Sequence, residues 1–396
     1  MSSTGVSNKI KSFMNDGSWI RKMFEDGIVL KQKYGDQNVF DLSLGNPILE
    51  PPAEFFSELR KIADLPIKGM HRYMPNNGYV ETRLSVASEL KNETGFDFTP
   101  DQILMTCGAG GGLNVVMKTL LDRDDEVIIF SPYFVEYIFY ADNHGAKCKT
   151  VNTDNKFYPN VEDLESKISA KTKIVMINSP NNPTGVVYNY DILSKISKII
   201  RQKENQYATK IFLVSDEPYR KILFDQVIYP NIFQFHPRTI VVTSHSKDLG
   251  LPGERIGFVA INPNCECKDE LMDGLTFCNR ILGFVNAPAI MQHIVKHLQS
   301  VTIDISDYQN KRDFLFGKLT EIGYSIVKPE GAFYMFPSSP IDDDMKFVSE
   351  LRENRVLAVP GSGFGSPGHF RIAYCVDMTT LENSIPAFKA AFETFH

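Results

Sequence analysis

Ser244-His-Ser-Lys-Asp-Leu-Gly-Leu-Pro-Gly-Glu-Arg255 is a polar segment between two apolar runs, Thr239–Val242 and Gly257–Ile261. Such runs are typical of strands that are buried on both faces. Lys247 follows two serines and precedes Arg255 by eight residues. A lysine beside hydroxyls and a fixed cation can offer an amine nucleophile and an anion anchor in one place. Solvated surface charges are the alternative, and the segment alone does not exclude them.

The composition predicts a globular chain with a substantial core, since 43% of the 396 residues are hydrophobic and 11% aromatic. This length predicts two or three domains of ~100–200 residues. The net charge of −6 offers no basic surface for nucleic acid or an anionic membrane. The sequence shows neither a run of the ~18 apolar residues that span a bilayer nor a signal-peptide pattern. We therefore expect a cytoplasmic protein without nucleic-acid or membrane partners.

The six cysteines are scattered along the chain and form no disulfide framework. Cys265 and Cys267 make a C-x-C pair in a polar loop, which could be half of a metal site. No second pair stands at zinc-ligand spacing, so we expect incidental thiols and no metal.

Apolar runs alternate with helical patterns through the middle of the chain, which predicts an α/β domain with a mainly parallel sheet. The predicted strands are Glu126–Phe130, Lys173–Ile177, Ile211–Val214, Thr239–Val242 and Gly257–Ile261. The predicted helices include Leu113–Leu121, Val161–Ile168 capped by Asn160, and Ile192–Ile200.

Polar residues follow four of these strands directly. They are Ser131, Asn178, the pair Ser215-Asp216, and Ser244. Open α/β sheets bind ligands beyond the carboxyl ends of their strands. We therefore expect the four strand exits to converge on one site.

The last third of the chain has a different pattern and is interpreted as a second, smaller domain. A helical stretch at Ser306–Ile322 precedes short strand-like pieces at Ala332–Phe336 and Phe370–Tyr374. An amphipathic helix, about Leu381–Phe395, closes the chain. Residues 1–40 lack the sheet pattern and are expected to pack with this part.

Four motifs in this order closely resemble the class I/II aminotransferases, the fold-type I enzymes that use pyridoxal 5′-phosphate (PLP). The motifs are Asn178–Gly185, Ser215–Tyr219, Ser244-x-Ser-Lys247 through Arg255, and Phe370–Ala373, and the resemblance begins at Leu44-Gly-Asn-Pro47. Each motif alone could arise by chance, but four in order are not a chance pattern.

The resemblance implies transfer of an amino group from an L-amino acid to a 2-oxo acid. It also implies an α/β fold with a large PLP-binding domain over residues 45–300. That domain has a mainly parallel seven-stranded sheet flanked by helices. Residues 1–44 and 301–396 would form a smaller α+β domain, and two chains would form a homodimer.

The family's cofactor residues carry over to this chain one by one. Lys247 matches the lysine that forms a Schiff base with PLP. Asp216 matches the carboxylate that keeps the ring nitrogen protonated, which makes the ring an electron sink. Asn182 and Tyr219 match the donors to the phenolic oxygen, and Phe134 matches the aromatic residue over the ring.

The phosphate site is implied at a helix N-terminus, where backbone N–H groups bind anions. Ala109 and Gly110 match the residues whose amides bind the phosphate. Ser244 adds a hydroxyl, and Arg255 adds a charge-assisted contact. Gly110–Gly112 are three consecutive glycines, and we expect close approach by a ligand or by another part of the chain there.

The substrate residues that the resemblance implies are Gly45, Asn182 and Arg371. Arg371 matches the arginine whose planar fork holds the α-carboxylate. Tyr73 matches a tyrosine that reaches the phosphate of the neighbouring subunit. Arg280 lies near the region where relatives place a residue for a side-chain carboxylate, one residue out of register, so an interface or surface arginine is the stronger interpretation.

Two other functions stay open at this point. A carbon–sulfur β-lyase of the same fold would use the same lysine, so the motifs do not separate it from a transaminase. A non-catalytic PLP-binding regulator is less compatible with the chain, because Lys247, Asp216 and Arg371 are intact and the N-terminus is too short for a DNA-binding domain. The motifs do not name the amino acid or the 2-oxo acid.

Overall fold

The fold is given by a computed structural model, which describes residues 5–16, 19–65 and 67–395. Within these residues the strands form sheets of seven, three and two strands. The strands are β1 (Phe40–Asp41), β2 (Ile103–Thr106), β3 (Glu126–Phe130), β4 (Lys147–Val151), β5 (Thr172–Asn178), β6 (Phe212–Asp216), β7 (Thr239–Ser244), β8 (Gly257–Ile261), β9 (Tyr334–Met335), β10 (Val356–Leu357), β11 (Val359–Pro360) and β12 (Phe370–Ala373).

The central sheet has the strand order β2-β8-β7-β6-β5-β3-β4. Strands β3 to β7 pair in parallel, whereas β8 is antiparallel to both of its neighbours, β2 and β7. The sheet is therefore mainly parallel, and β4 and β2 are its edge strands.

The five predicted strands are confirmed, and three of them end later than predicted. Asn178, Asp216 and Ser244, which the sequence places just after strands, are instead the last residues of β5, β6 and β7. Sequence analysis did not identify β2 or β4. Strand β4 reads Lys-Cys-Lys-Thr-Val and is half-exposed along most of its length, so it lacks a continuous apolar run.

Helices cover both faces of the sheet and continue into the C-terminal third. They are α1 (Asn8–Asp16), α2 (Trp19–Tyr34), α3 (Ala53–Asp64), α4 (Val80–Thr94), α5 (Gly108–Leu120), α6 (Glu136–Asn143), α7 (Val161–Lys167), α8 (Tyr190–Tyr207), α9 (His245–Asp248), α10 (Lys268–Ile281), α11 (Ala289–Val295), α12 (Ile305–Ile322), α13 (Asp344–Glu353) and α14 (Met378–Glu393). The predicted cap of α7 is confirmed, because the Asn160 side chain accepts a hydrogen bond from the Asp163 N–H at 2.8 Å.

Each face of the central sheet has its own apolar core. Val127 and Ile174 lie in a core with α5, α6 and α10. Their neighbours Ile128 and Val175 lie in a core with α4, α7, α8 and α11. Successive side chains of a strand point to opposite faces. Burial on both faces therefore explains the unbroken apolar runs in the sequence.

A third core joins the two ends of the chain. Phe40 of β1 pairs with Val356 of β10 in a parallel register. Phe40 belongs to the same core as Phe370 of β12 and residues of α12, α13 and α14. Tyr219, which follows β6, reaches into this core. The domain boundaries near residues 45 and 300 stay a prediction.

Close approach of the sheet explains the last of the three consecutive glycines of α5. A Cβ atom on Gly112 would lie 2.8 Å from Cγ1 of Val242 and 3.2 Å from Cγ2 of Val259. Helix α5 therefore packs against β7 and β8 more closely than a side chain would permit. The expected close approach by another part of the chain is present at this position.

We expect Gly112→Ala to destabilise the protein by about 1–3 kcal/mol, because the added methyl group overpacks the contact between α5 and the sheet. Urea unfolding at fixed protein concentration would measure the loss.

Gly317→Ala is the matched control, since Gly317 is also helical and a Cβ there would meet nothing within 4 Å. Higher helix propensity should leave this variant unchanged or stabilise it by up to ~1 kcal/mol. Equal destabilisation by both substitutions would contradict the packing explanation.

Candidate active site

A pocket of about 320 Å³ lies at the carboxyl ends of β5, β6 and β7. The last residues of these strands, Asn178, Asp216 and Ser244, line it. Ser131 does not, because its hydroxyl donates to the Gly365 carbonyl at 2.6 Å. The predicted convergence therefore holds for three of the four strand exits. The pocket also contains every predicted site residue except Tyr73, namely Gly45, Ala109, Gly110, Phe134, Asn182, Asp216, Tyr219, Ser244, Lys247, Arg255 and Arg371.

Asp216 is a buried carboxylate at the floor of the pocket and is only 5% exposed. Its Oδ2 accepts a hydrogen bond from the Tyr137 hydroxyl at 2.5 Å. Its Oδ1 is buried and has no partner among the residues that the structure describes. Burial raises the pKa of Asp216 to about 7, the Tyr137 hydrogen bond opposes this rise, and the charge of Glu217 adds to it. An approaching cation would find one carboxylate oxygen available.

Lys247 lies in the short helix α9, directly after β7. Its Nζ donates to the Gly45 carbonyl at 2.8 Å and lies 5.4 Å from the centre of the Phe333 ring. Burial lowers the pKa of Lys247 to about 8, and the positive charges of Arg255 and Arg371 act in the same direction. Part of the Lys247 population therefore carries an unprotonated amine near neutral pH.

Helix α9 is fixed by a contact between two of its own side chains and by hydrogen bonds from residues that precede α12. His245 Nδ1 and Asp248 Oδ2 are 3.2 Å apart, and both residues are buried. The Asp248 carbonyl accepts hydrogen bonds from the Ile303 N–H at 2.8 Å and the Thr302 hydroxyl at 3.0 Å. These contacts fix the backbone on which Lys247 stands.

Arg371 of β12 is 3% exposed and lies between two aromatic rings. The carbon of its guanidinium is 4.8 Å from the centres of both the Tyr334 and the Phe364 ring. Nη1 donates to Asn182 Oδ1 at 3.0 Å, and Nη2 donates to the Ser43 carbonyl at 2.5 Å. Nε is buried without a partner in the described residues. The Arg371 guanidinium is therefore a fixed cation whose Nε–H remains available to a ligand.

Gly45 leaves the room that Tyr334 occupies. A Cβ at position 45 would lie 1.8 Å from the Tyr334 hydroxyl oxygen. That hydroxyl is 3.0 Å from the hydroxyl of Tyr219. The absence of a side chain at Gly45 thus permits the tyrosine pair to form beside Arg371.

Asn182 is positioned by a network at the end of β5. Its backbone N–H donates to Asn178 Oδ1 at 2.8 Å, and Asn178 Nδ2 donates to the Asp216 carbonyl at 2.9 Å. The network connects the loop after β5 to the end of β6. Asn182 and Asp216 are therefore held in a fixed relation.

The opposite end of the pocket has the features of an anion site. Ala109 and Gly110 lie in the first turn of α5, where backbone N–H groups have no partner within the helix. Arg255 adopts φ +51° and donates from Nη1 to the Pro252 carbonyl at 3.0 Å. A Cβ on Gly108 would lie 2.9 Å from Arg255 Nη2, so this glycine lets the guanidinium approach the helix. The site suits a phosphate group.

Sequence analysis missed four residues of the site. Tyr137 holds Asp216, and Glu136, Tyr140 and Tyr334 line the pocket. Three of them follow Phe134 on helix α6, where Glu136 and Tyr140 are one turn apart and share a face. That spacing was the available signal for Glu136 and Tyr140.

Tyr73 and Arg280 do not line the pocket. Tyr73 is 90% exposed in the single chain. Arg280 is exposed near the end of α10, with its guanidinium 5.4 Å from the centre of the Phe277 ring. Arg280 is thus outside the pocket wall of its own chain.

Cys265 and Cys267 also lie outside the pocket. Their sulfur atoms are 3.6 Å apart, and with Glu266 they form a group that could hold a metal ion. The Glu266 carboxylate already pairs with Arg238 at 2.7 Å. Among the helices that the structure describes, none has both the length and the apolar character to cross a membrane.

Known proteins resemble this chain along most of its length. Residues 37–388 match the family described as aminotransferase class I and II. A probable aspartate aminotransferase of Methanocaldococcus jannaschii is 31% identical over 366 residues, which cover 89% of this chain and 93% of the relative. Aromatic-amino-acid aminotransferase 2 of Thermococcus litoralis is 31% identical over 388 residues, which cover 94% and 95%. A crystal structure of an amino transferase from Eubacterium rectale aligns over 100% of both chains, with a TM-score of 0.96 and 36% identity.

We expect the free energy of unfolding to fall as pH rises in the wild type, and Asp216→Asn to remove most of this fall. The pKa of Asp216 is about 7 in the folded chain and 3.8 ordinarily, so between these values the folded state binds more protons than the unfolded state. The free energy of unfolding should therefore fall as pH rises through this window, by up to roughly 4 kcal/mol. Urea unfolding of protein stripped of small molecules, at about pH 5 and about pH 8, would show a larger fall for wild type than for the variant.

Tyr137→Phe gives a check in the opposite direction, because it removes the hydrogen bond that lowers the pKa of Asp216. Its stability should depend more on pH than that of the wild type. Tyr308→Phe is the control, since the Tyr308 hydroxyl is buried without a partner in the described ranges. Equal pH dependence in wild type and Asp216→Asn would contradict the raised pKa.

Proposed function

Because the chain belongs to the class I and II aminotransferase family, we propose that Lys247, Asp216 and Arg371 carry out the amino-group transfer of this enzyme. The family depends on PLP, and its relatives of known name are aminotransferases. The observation that carries the proposal is the convergence of a lysine of lowered pKa, a buried carboxylate and a buried arginine in one pocket.

The residues of the pocket fit PLP, beginning with the unpartnered oxygen of Asp216. A buried carboxylate oxygen without a donor suits a protonated ring nitrogen. Asn182, Tyr219 and Phe134 line the same pocket, and we assign the first two to the phenolic oxygen of the ring and Phe134 to its face. When bound, PLP supplies an aldehyde that condenses with amines and a ring that withdraws electrons from the adjoining carbon.

The phosphate is assigned to the N-terminus of α5. Ala109, Gly110, Ser244 and Arg255 all line the pocket, and the Arg255 guanidinium lies against Gly108 at the start of α5. Backbone donors at a helix N-terminus and a nearby arginine are a strong combination for a phosphate dianion. This anchor fixes the position of the whole cofactor relative to Lys247.

Lys247 is assigned the roles of nucleophile and proton carrier. With its pKa near 8, Nζ is partly unprotonated at neutral pH and can accept a proton from the substrate Cα. Protonated Nζ can then return the proton at a neighbouring atom. Its contact with the Gly45 carbonyl holds the amine inside the pocket.

Arg371 is assigned to the substrate α-carboxylate. Its contacts with Asn182, Ser43 and two rings keep the guanidinium plane fixed. A fixed fork orients the bound carboxylate and therefore also the Cα–H bond that breaks. Orientation of this kind selects one bond among those on Cα.

Transamination is favoured over the β-lyase and regulator alternatives, since the relatives are named as aminotransferases. Release of pyruvate and ammonia from cysteine without a 2-oxo acid acceptor would contradict this preference.

We expect Lys247→Ala to lower turnover by at least ~10²–10⁴-fold, because the variant lacks the proton carrier. The visible absorption of PLP joined to a lysine should also disappear. Lys221→Ala is the matched control, since Lys221 is another half-buried lysine of lowered pKa but does not line the pocket. A Lys247→Ala enzyme that still transaminates at the wild-type rate would overturn the proposal.

We also propose a homodimer in which Tyr73 of one subunit reaches the PLP phosphate of the other. The 90% exposure of Tyr73 in the single chain supports a contact with a second chain. Tyr73→Phe should weaken PLP binding several-fold, whereas Tyr190→Phe, at a tyrosine 59% exposed, should not. Sedimentation velocity would measure the oligomeric state, and titration with PLP would measure the affinity of each variant for the cofactor. A monomeric active enzyme would contradict the assignment.

A cytoplasmic location is the last part of the proposal. The six cysteines are free thiols, two of them 3.6 Å apart, which supports a reducing compartment. Recovery of the enzyme outside the cytosolic fraction of its source cells would contradict it.

A further inference from the structure

Glu136 is a residue of the pocket wall that has no role in the site as proposed. It begins helix α6 and lines the pocket, and Tyr140 lines it one turn later. Its Oε2 is buried and has no hydrogen-bond partner in the part of the chain that the structure describes. A buried carboxylate oxygen without a donor costs free energy. The position is therefore ready for a donor on a ligand.

The positive charges of the pocket are already assigned. Among the described lining residues the cations are Lys247, Arg255 and Arg371. Under the proposed function they serve the amino group, the phosphate and the α-carboxylate. No cation of this chain's own described wall remains for a second carboxylate on the substrate. Arg280, the residue considered for that role, lies outside the wall of its own chain.

The surroundings of Glu136 make it sensitive to the charge of a ligand. Burial raises the pKa of its carboxyl, and its own backbone N–H and the charge of Arg371 oppose that rise. A cationic group brought next to Glu136 would stabilise the carboxylate, whereas an anionic group would be repelled. Phe134 and Tyr140 in the same wall offer aromatic surface to the alkyl part of a long side chain.

We propose that Glu136 selects the amino donor, and that the preferred donor carries an ammonium or guanidinium group on its side chain. The inference rests on the proposed function, because it assumes that Arg371 holds the α-carboxylate. It places aspartate and glutamate among the poor substrates. The relatives reported above are named for aspartate and for aromatic amino acids, so the inference departs from both names and rests on the position of Glu136 in the pocket wall.

The first test compares donors on the PLP-loaded enzyme, with pyruvate as acceptor because its side chain is uncharged. Arginine, ornithine and lysine should show higher kcat/KM than glutamate and aspartate. Glu136→Gln keeps the size of the side chain and removes its charge. In this variant the ratio of kcat/KM for arginine to that for glutamate should fall at least about tenfold.

Glu217→Gln is the matched control. Glu217 is a buried carboxylate beside Asp216 that does not line the pocket. The substitution removes a carboxyl group beside Asp216 and leaves the residues that line the pocket unchanged. The arginine to glutamate ratio should stay within about twofold of wild type.

The second test measures binding without reaction. Glutarate and 4-guanidinobutanoate have similar lengths and no amino group that can join PLP, and both can bind Arg371 through one carboxylate. Calorimetric titration of the loaded wild type should show tighter binding of 4-guanidinobutanoate. Glu136→Gln should reduce that preference at least about tenfold.

The outcomes separate this inference from the proposed function. If amino transfer occurs and Glu136→Gln leaves both preferences unchanged, the role of Glu136 is wrong and the transaminase stands. A wild-type enzyme that prefers glutamate or glutarate also overturns it. If no amino acid reacts and neither carboxylate binds, the proposed function itself fails.

Discussion

The site depends on one physical constraint, a buried carboxylate at the end of a central strand. Asp216 is 5% exposed, and one of its oxygens has no partner in the described chain. Burying such a charge is costly unless a cation meets it or a proton neutralises it. Tyr137 fixes the side chain, and Asn178 binds its backbone carbonyl. Under the proposed function, the hydrogen bonds that orient Asp216 toward a ring nitrogen are thus in place before the ligand binds, which is how preorganised sites gain their electrostatic strength.

The same exclusion of water shifts the pKa values of Asp216 and Lys247, two of the titratable groups of the pocket. It raises the pKa of Asp216 to about 7 and lowers that of Lys247 to about 8, because in each group burial favours the neutral form. A pKa near neutrality lets the amine act as nucleophile and base. A bound cation would return the carboxyl group to its charged form. The rings of Tyr334 and Phe333, which lie against Arg371 and Lys247, therefore contribute to the chemistry by keeping water out.

The sequence predicted the anchors of the site because they stand at the ends of parallel strands, and the ends of parallel strands meet. It could not supply residues whose role depends on distant partners. Tyr137 bonds Asp216 across 79 positions of the chain, and Tyr334 fits only because Gly45, far earlier, has no side chain. Strand β4 was not predicted for a local reason. It is only partly buried, and its alternating lysines interrupt the apolar run that marks the buried strands. Tyr73 is exposed in the single chain, and the contact that we propose for it would need a second chain.

Anchoring and selection are separate tasks in this pocket. Under the proposed function, the lysine, the aspartate and the two arginines would bind groups that every amino acid or the cofactor carries, whatever the side chain is. The family includes relatives named for aspartate and for aromatic amino acids, which agrees with this division. Selection must come from wall residues that touch only the side chain. Of these, we propose Glu136, whose buried Oε2 has no partner in the described chain, because a carboxylate in the wall separates cationic from anionic side chains more strongly than a change of apolar shape does.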